Sequence, residues 1–411
     1  MSTKHVLKLI FWLKGNLAEG LKPEGTHGDG VSVAPFLHDR PAAASISADF
    51  ELNWAWRELP PVQRDEKGRL ERSNFPYLMS LLERTRIPIT WATVGHMFLD
   101  SCSRGADGRA HPEMPRPTLN GRWSGDWYVH DPCGSAAASP LWYAPDLIEQ
   151  LLAGNVRHEI GSHSFSHIDF SDLHSTPELV EAEMRACIGA MAPFGVHPRS
   201  LVYPFNKMGH GHLDLLATLG IVAVRHRDSR IRLSYPERTP SGVYKLYETL
   251  NLRRARFYDY PRKAALFLKE AAKRRAAFHI WLHPSAALDV LRDVFRPIVE
   301  HMARLRDECI LWTATMAELA AYCEARNAVK LRIRRIGDEL TISLDAAAFD
   351  VRRYGQTDLT LVIPCSQPPR AAFVSENGLI RAIDTPPAQA SGPAAVMATI
   401  PVGATSLRLA F

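Results

Sequence analysis

Residues 161–167 read Gly161-Ser162-His163-Ser164-Phe165-Ser166-His167, directly after the short run His158 to Gly161. Two histidines four apart are most often neighbours on one helix face. Here a glycine and three serines surround them, so the stretch predicts a turn leaving a strand, from which both rings can converge. About a hundred residues earlier, Asp49-Phe50-Glu51 closes another strand-like run that begins at Ser45. Alternation along a strand puts Asp49 and Glu51 on one face. Two imidazoles and two carboxylates are the ligand and base inventory of a hydrolytic divalent-metal site.

Outward from these stretches, short apolar runs alternate with amphipathic ones, the pattern of repeated βα units. Strands are expected at Ser45 to Asp49, Ile89 to Thr93, His158 to Gly161, Ser200 to Tyr203, Val222 to Val224, His279 to Leu282 and Ile310 to Thr313. Helices are expected at Phe75 to Arg84, Ala144 to Ala153, Pro177 to Ala192, Leu213 to Leu219, Pro261 to Arg275, Ala287 to Arg306 and Met316 to Arg326. The polar residues of interest fall repeatedly at the carboxyl end of a strand run, where a barrel carries its chemistry. The expected class is therefore α/β, a distorted and incomplete (β/α) barrel over residues 42–326. Residues 327–411 lose the helix-length pattern and read as a small C-terminal all-β domain, with a loop around Pro386, Pro387 and Pro393.

An inserted loop, residues 100–143, is rich in Pro and Gly and carries Trp123, Trp127, Tyr128, Trp142 and Tyr143. Such a loop reads either as a lid over a binding site or as an aromatic plug in the barrel mouth. Residues 1–41 form an N-terminal extension whose stretch 4–14 is apolar but interrupted by Lys8 and Lys14. It is too short to span a bilayer and lacks a small-residue cleavage site, so it fits a capping helix or a peripheral contact at a membrane surface. Net charge is +5, with the basic residues scattered, which excludes a nucleic-acid footprint. The six cysteines are dispersed without a C-x-x-C pair and are expected to be reduced thiols of a cytoplasmic protein. There is no phosphate loop, no G-x-S-x-G and no H-E-x-x-H.

Two later runs complete a pattern: Leu201-Val202-Tyr203-Pro204-Phe205-Asn206 and His279-Ile280-Trp281-Leu282-His283-Pro284. With the acidic pair and the two histidines, in this order, the chain resembles the polysaccharide deacetylase family over roughly Ala42 to Arg326. The resemblance implies a barrel with fewer than eight complete units and hydrolysis of N-acetyl, less often O-acetyl, groups on sugars with one divalent metal. His163, His167 and Glu51 match the metal ligands, Asp49 the general base, and Tyr203 the aromatic-proline turn whose backbone N–H helps hold an oxyanion. The acidic pair is often adjacent in that family, whereas Phe50 intervenes here. The family's arginine near the turn is also displaced, leaving Arg199 or Arg225 to orient the base.

Chemistry sets the remaining expectations. An amide leaves badly unless its nitrogen is protonated, and His283 is the candidate acid. His279 begins its strand and is expected far from the mouth. Asn206 and Trp127 are candidate substrate contacts; Asp228 and Glu248 are candidate partners of His283, with a solvated role favoured for both. Zinc is the expected metal, although two imidazoles and a carboxylate also suit cobalt, nickel, manganese or iron. The expected substrate is an acetylated amino sugar, or a nucleotide-linked or lipid-linked glycan precursor. The alternatives are an amidohydrolase acting on a non-sugar small amide and an inactive glycan-binding protein.

Overall fold

The computed structural model describes residues 30–118, 125–255, 259–388 and 394–411. Residues 4–14, proposed for a membrane surface, and Trp123 lie outside them. Among the described residues no helix is long and apolar enough to cross a membrane.

The centre is a parallel sheet curled into a distorted (β/α) barrel. Its middle strand, Ala42–Phe50, is buried at all nine positions, as expected where helices cover a parallel sheet. On one side it pairs with Thr90–Thr93, followed by Glu159–Ser162, Ser200–Val202, Ala223–His226 and Tyr244–Tyr247. On its other side lies Ala277–Leu282. The short strand Leu311–Thr313 pairs with Ala42 to Ala44, beside the base of the middle strand. Just after Tyr247, Leu250–Asn251 pairs with Ile280 and Trp281, so one irregular run from 244 to 251 bonds to both ends of the sheet. Gly161 permits close approach of its neighbour: a Cβ there would meet Ser200 Oγ at 2.5 Å.

Every expected strand is present. The run 244–251 was not expected, because the break at Glu248 and Thr249 divides it into pieces too short to show a period. The helix expected from Phe75 begins at Pro61 and runs to Thr85. Its first half is almost wholly polar and includes Gly68, which hides the period, and Pro76 lies within it without ending it. Helix starts are locally encoded: Thr176 and Asp259 each accept a hydrogen bond from the first turn, and Thr315 with Glu318 forms a capping box.

The C-terminal strands form two antiparallel sheets. One orders Lys330–Ile336, Glu339–Asp345, Ala404–Ala410, Ala371–Glu376 and Leu379–Ala382; the other combines Asp358–Pro364 and Ala395–Pro401 with Ser32–Val33 from before the barrel. Both sheets share a core with the helix Met316–Ala328, where Leu319, Tyr322 and Cys323 are fully buried. In the inserted loop, Trp127, Tyr128, Trp142 and Tyr143 are all buried, so its aromatic residues pack as a plug. Trp54 Nε1 donates to the Trp142 carbonyl at 3.0 Å and ties that plug to the exit of the middle strand.

Candidate metal and catalytic site

Three strand exits converge. Glu51 follows the middle strand, His163 and His167 follow Glu159–Ser162, and His283 follows Ala277–Leu282. Glu51 is 2 % exposed, and its Oε1 lies 2.9 Å from His163 Nε2 and 3.2 Å from His167 Nε2. Its other oxygen lies 3.7 Å from His283 Nε2 and accepts no hydrogen bond among the described residues. Burial alone would raise the Glu51 carboxyl, but His283, His167 and His163 around it hold it well below the usual carboxylate range. Burial lowers the His167 imidazole to about 4.

The tautomer of His163 gives this geometry its meaning. Its Nδ1 lies 2.6 Å from the Val202 carbonyl, an acceptor only, so Nδ1 carries the hydrogen. With Nδ1 carrying a hydrogen, the contact of Nε2 with a carboxylate oxygen is met either by a second ring hydrogen or by a cation bound between the two atoms. Glu51, His163 and His167 offer three ligand atoms within 4.8 Å of one another. Two imidazoles and a carboxylate suit a divalent ion with an open position for substrate, so the residues fit the metal that the sequence implies.

Asp49 faces Arg225. The guanidinium binds both carboxylate oxygens, at 2.5 and 2.7 Å, and also reaches Ser47 Oγ at 3.0 Å and Asn206 Oδ1 at 2.7 Å. Its flat face covers the Trp281 ring at 4.3 Å. Of the two arginines considered, Arg225 thus meets the acidic pair, whereas Arg199 donates to the Tyr354 carbonyl at the C-terminal sheets. Asp49, Glu51 and His283 have ligand atoms within 4.8 Å, which sets the candidate base and acid beside the candidate ligand.

Other expected residues have different surroundings from those imagined. The Asn206 carbonyl is taken up by Arg225, so it steadies the guanidinium. The Tyr203 ring is buried in the core, with its hydroxyl unpartnered among the described residues, so the ring is not a substrate contact. Trp127 donates to the Ser166 carbonyl at 3.0 Å and lies under the Arg57 guanidinium, packing behind the histidine turn. His279 is not remote: it bonds Ser45 Oγ at 2.7 Å and Ser47 Oγ at 3.0 Å, one hydrogen bond below Arg225. Asp228 pairs with Arg232 and Glu248 with Arg227, neither with His283.

Residues without any motif hold the histidine turn. Glu183 accepts from the backbone N–H groups of Phe165 and Ser166, from Ser166 Oγ and from the Tyr128 hydroxyl. Arg57 donates to the carbonyls of Ser166 and His167. Glu71 accepts the N–H groups of Glu51 and Leu52. Such support is needed because Ser164 and His167 in the turn, and Leu52, Phe205 and Asn206 at the neighbouring strand exits, all have positive φ, between 47° and 61°. Non-glycine residues in that region cost about 1–3 kcal/mol each and cluster where function imposes the geometry.

These features define a distorted (β/α) barrel with a buried carboxylate and imidazole cluster at the carboxyl ends of its strands. Residues 65–224, within the barrel, match the model of one family, described as polysaccharide deacetylase. That stretch includes His163, His167, Tyr203 and Asn206, while Asp49, Glu51, Arg225 and His283 lie outside it. Among solved structures, a "probable polysaccharide deacetylase" from Pseudomonas aeruginosa PAO1 is 14% identical, with a TM-score of 0.46, covering 73% of this chain and 97% of that one. Puue allantoinase is 13% identical, TM-score 0.46, covering 73% and 96%. A family 4 carbohydrate esterase from Streptomyces lividans in complex with acetate is 10% identical, TM-score 0.36, covering 67% and 93%. No curated protein matches the chain.

Proposed function

We propose that the chain is a metal-dependent hydrolase that removes an N-acetyl or similar small acyl group from an amino sugar or a sugar-containing precursor. The observation that carries this reading is the convergence of three imidazoles on the buried Glu51 carboxylate, with His163 Nε2 at 2.9 Å, His167 Nε2 at 3.2 Å and His283 Nε2 at 3.7 Å. Glu51, His163 and His167 would hold one divalent ion, zinc by default. Bound there, it would supply Lewis-acid polarisation of the acyl carbonyl and a more acidic water.

The chain's own groups account for the proton movements. Asp49, held in one orientation by Arg225, accepts the proton of the attacking water at a carboxylate oxygen. His283 is one third exposed, so its ring can meet both substrate and solvent. Its Nε2 delivers a proton to the departing nitrogen, so that water is consumed and a carboxylic acid and a free amine leave. The backbone at Tyr203 is the candidate donor to the oxyanion, worth about 3 kcal/mol in comparable acyl-transfer sites. The family supports deacetylation of carbohydrate as the reaction class.

The test is mass analysis of free, nucleotide-linked and lipid-linked acetylated amino sugars, together with a panel of small non-sugar amides, after incubation with the metal-loaded chain. Loss of one acetyl unit from a sugar, with acetate released, is the expected result. Turnover of the non-sugar amides alone would replace the glycan reading with the amidohydrolase one.

A further inference from the structure

We infer that the chain holds a second metal ion, of the zinc class, in a cage built where the inserted loop meets the back of the histidine turn. Its donors form two sets that share Asp131, namely His96, His111 and Asp131, and Cys102, Asp131 and Cys133, with the ligand atoms of each set within 4.8 Å of one another. Cys102 and Cys133 are 31 positions apart in a loop without a C-x-x-C pair, yet their sulfurs lie 3.6 Å apart. Cys102 Sγ is 3.2 Å from His111 Nε2, which is 2.9 Å from His96 Nε2 and 3.1 Å from Asp131 Oδ2. Donors around a tetrahedral zinc ion, with bonds of about 2.0–2.3 Å, lie about 3.3–3.8 Å from one another. The observed separations of 2.9 to 3.6 Å are those of a cage slightly contracted around such an ion.

Again the tautomer makes the point independently of proximity. His96 is fully buried between the rings of Trp54 and Phe165, each 3.9 Å away centre to centre. Its Nδ1 lies 2.7 Å from the Phe165 carbonyl and must carry the hydrogen, so its Nε2 presents a lone pair. That lone pair meets His111 Nε2 and, at 3.5 Å, Asp131 Oδ2. His111 Nε2 has one hydrogen at most for His96, Asp131 and Cys102 together. A cation in the middle satisfies all of them. Around the cage, the other Asp131 oxygen accepts from the Tyr143 hydroxyl and the Cys133 N–H, and Arg104 donates to the Asp131 carbonyl. Such outer contacts fix ligands in orientation. An open cleft of about 570 Å³, bordered by Cys102, His111 and Phe165, gives an ion a way in.

Thiolate and imidazole together select zinc over the harder ions that an all-oxygen site takes. None of these donors belongs to the Glu51 site, so the ion is assigned a structural role. It pins the loop to the histidine turn, because His96 also donates its backbone N–H to Phe165 and Gly95 donates to Ser164. The cage thereby supports the catalytic histidines without touching them.

The test exploits the absence of sulfur from the site at Glu51. Cobalt loaded into the metal-free full chain is expected to give the near-ultraviolet thiolate charge-transfer band, lost in Cys102→Ser/Cys133→Ser and kept in His163→Ala. Metal analysis of the zinc-loaded protein is expected to give two ions per chain, and one in either variant. A cobalt complex without the thiolate band would overturn the inference even if the serine variant did not fold. So would a covalent Cys102–Cys133 bond, seen as two missing thiols on reagent titration of the unfolded, unreduced chain. Neither result bears on the deacetylase reading, which rests on the sulfur-free site.

Discussion

At the scale of single residues, the site is a set of paired charges in a place where an unpaired charge is costly. Asp49 and Arg225 have side chains 4 % and 1 % exposed, and each oxygen of the carboxylate has its own N–H donor. Replacing Arg225 by Lys keeps the charge but offers a point donor instead of a fork, leaving an oxygen of Asp49 or Asn206 unmet. The expected loss is about 1–3 kcal/mol of stability, read in thermal unfolding, with metal content unchanged. A variant that melted like the parent would remove the fork from the argument. Asp49→Asn keeps size and hydrogen bonding but cannot take a proton. It is expected to retain metal and to lose about 10²–10⁴-fold in turnover. Full activity in that variant would take the base role away from Asp49. These two positions also divide what the sequence discloses. Asp49, Glu51, His163, His167 and His283 sit in short local patterns, so the sequence could name them as candidates. Arg225 could be named only as one of two arginines, because its partner Asp49 lies 176 positions away. His279 was misplaced, since its polar partners Ser45 and Ser47 belong to a different strand.

At the scale of elements, the histidine turn is strained, and its shape is imposed by neighbours that no motif announces. Glu183, on the helix Pro177–Met191, gathers four donors, among them two backbone N–H groups of the turn. Burial raises its carboxyl, and the hydrogen bonds from Ser166 and Tyr128 oppose that rise. Glu183→Gln presents an amide N–H where a donor already points, so the turn loses at least one anchor. Metal affinity at the Glu51 site is expected to fall about 10–100-fold, the usual cost of disturbing the support of a ligand. Competitive chelation measures it, and an unchanged affinity would mean that the turn holds its shape alone. The same helix was legible in the sequence from its apolar period and its start at Pro177, but the inward direction of Glu183 was not, since a carboxylate on an amphipathic helix ordinarily faces water. Likewise the plug of Tyr128, Trp142 and Tyr143 is a tertiary fact. The composition gave the aromatics, and only packing decides between plug and lid.

At the scale of the whole molecule, the described chain is tied end to end. Ser32–Val33 pairs with Leu361 and Val362, Arg199 and Gly242 bond Tyr354, and Arg238 binds Glu324. With a core shared between the helix Met316–Ala328 and both C-terminal sheets, barrel and sheets are expected to unfold in one transition. Two imidazoles outside the ligand sets, His279 buried and His158 half-buried, then make that transition depend on pH. Burial, and for His279 the charge of Arg225, lowers His279 to about 3; burial lowers His158 to about 4, against about 6.5 in the unfolded chain. As pH falls below about 6.5, the unfolded chain takes up these protons and the folded chain does not. Stability therefore rises with pH across the window from about 4 to 6.5 and is lost on acidification through it, by up to about 1.4 kcal/mol per pH unit for each ring. Denaturant midpoints of the full chain, measured with chelator across that window, are expected to climb with pH. His279→Gln is expected to climb less steeply while starting lower, because glutamine can meet Ser45 or Ser47 but cannot titrate. An equal slope in parent and variant would mean that His279 is already charged in the folded protein, and with it the neutral floor beneath Ser47 and Arg225 would be lost from the account of the site.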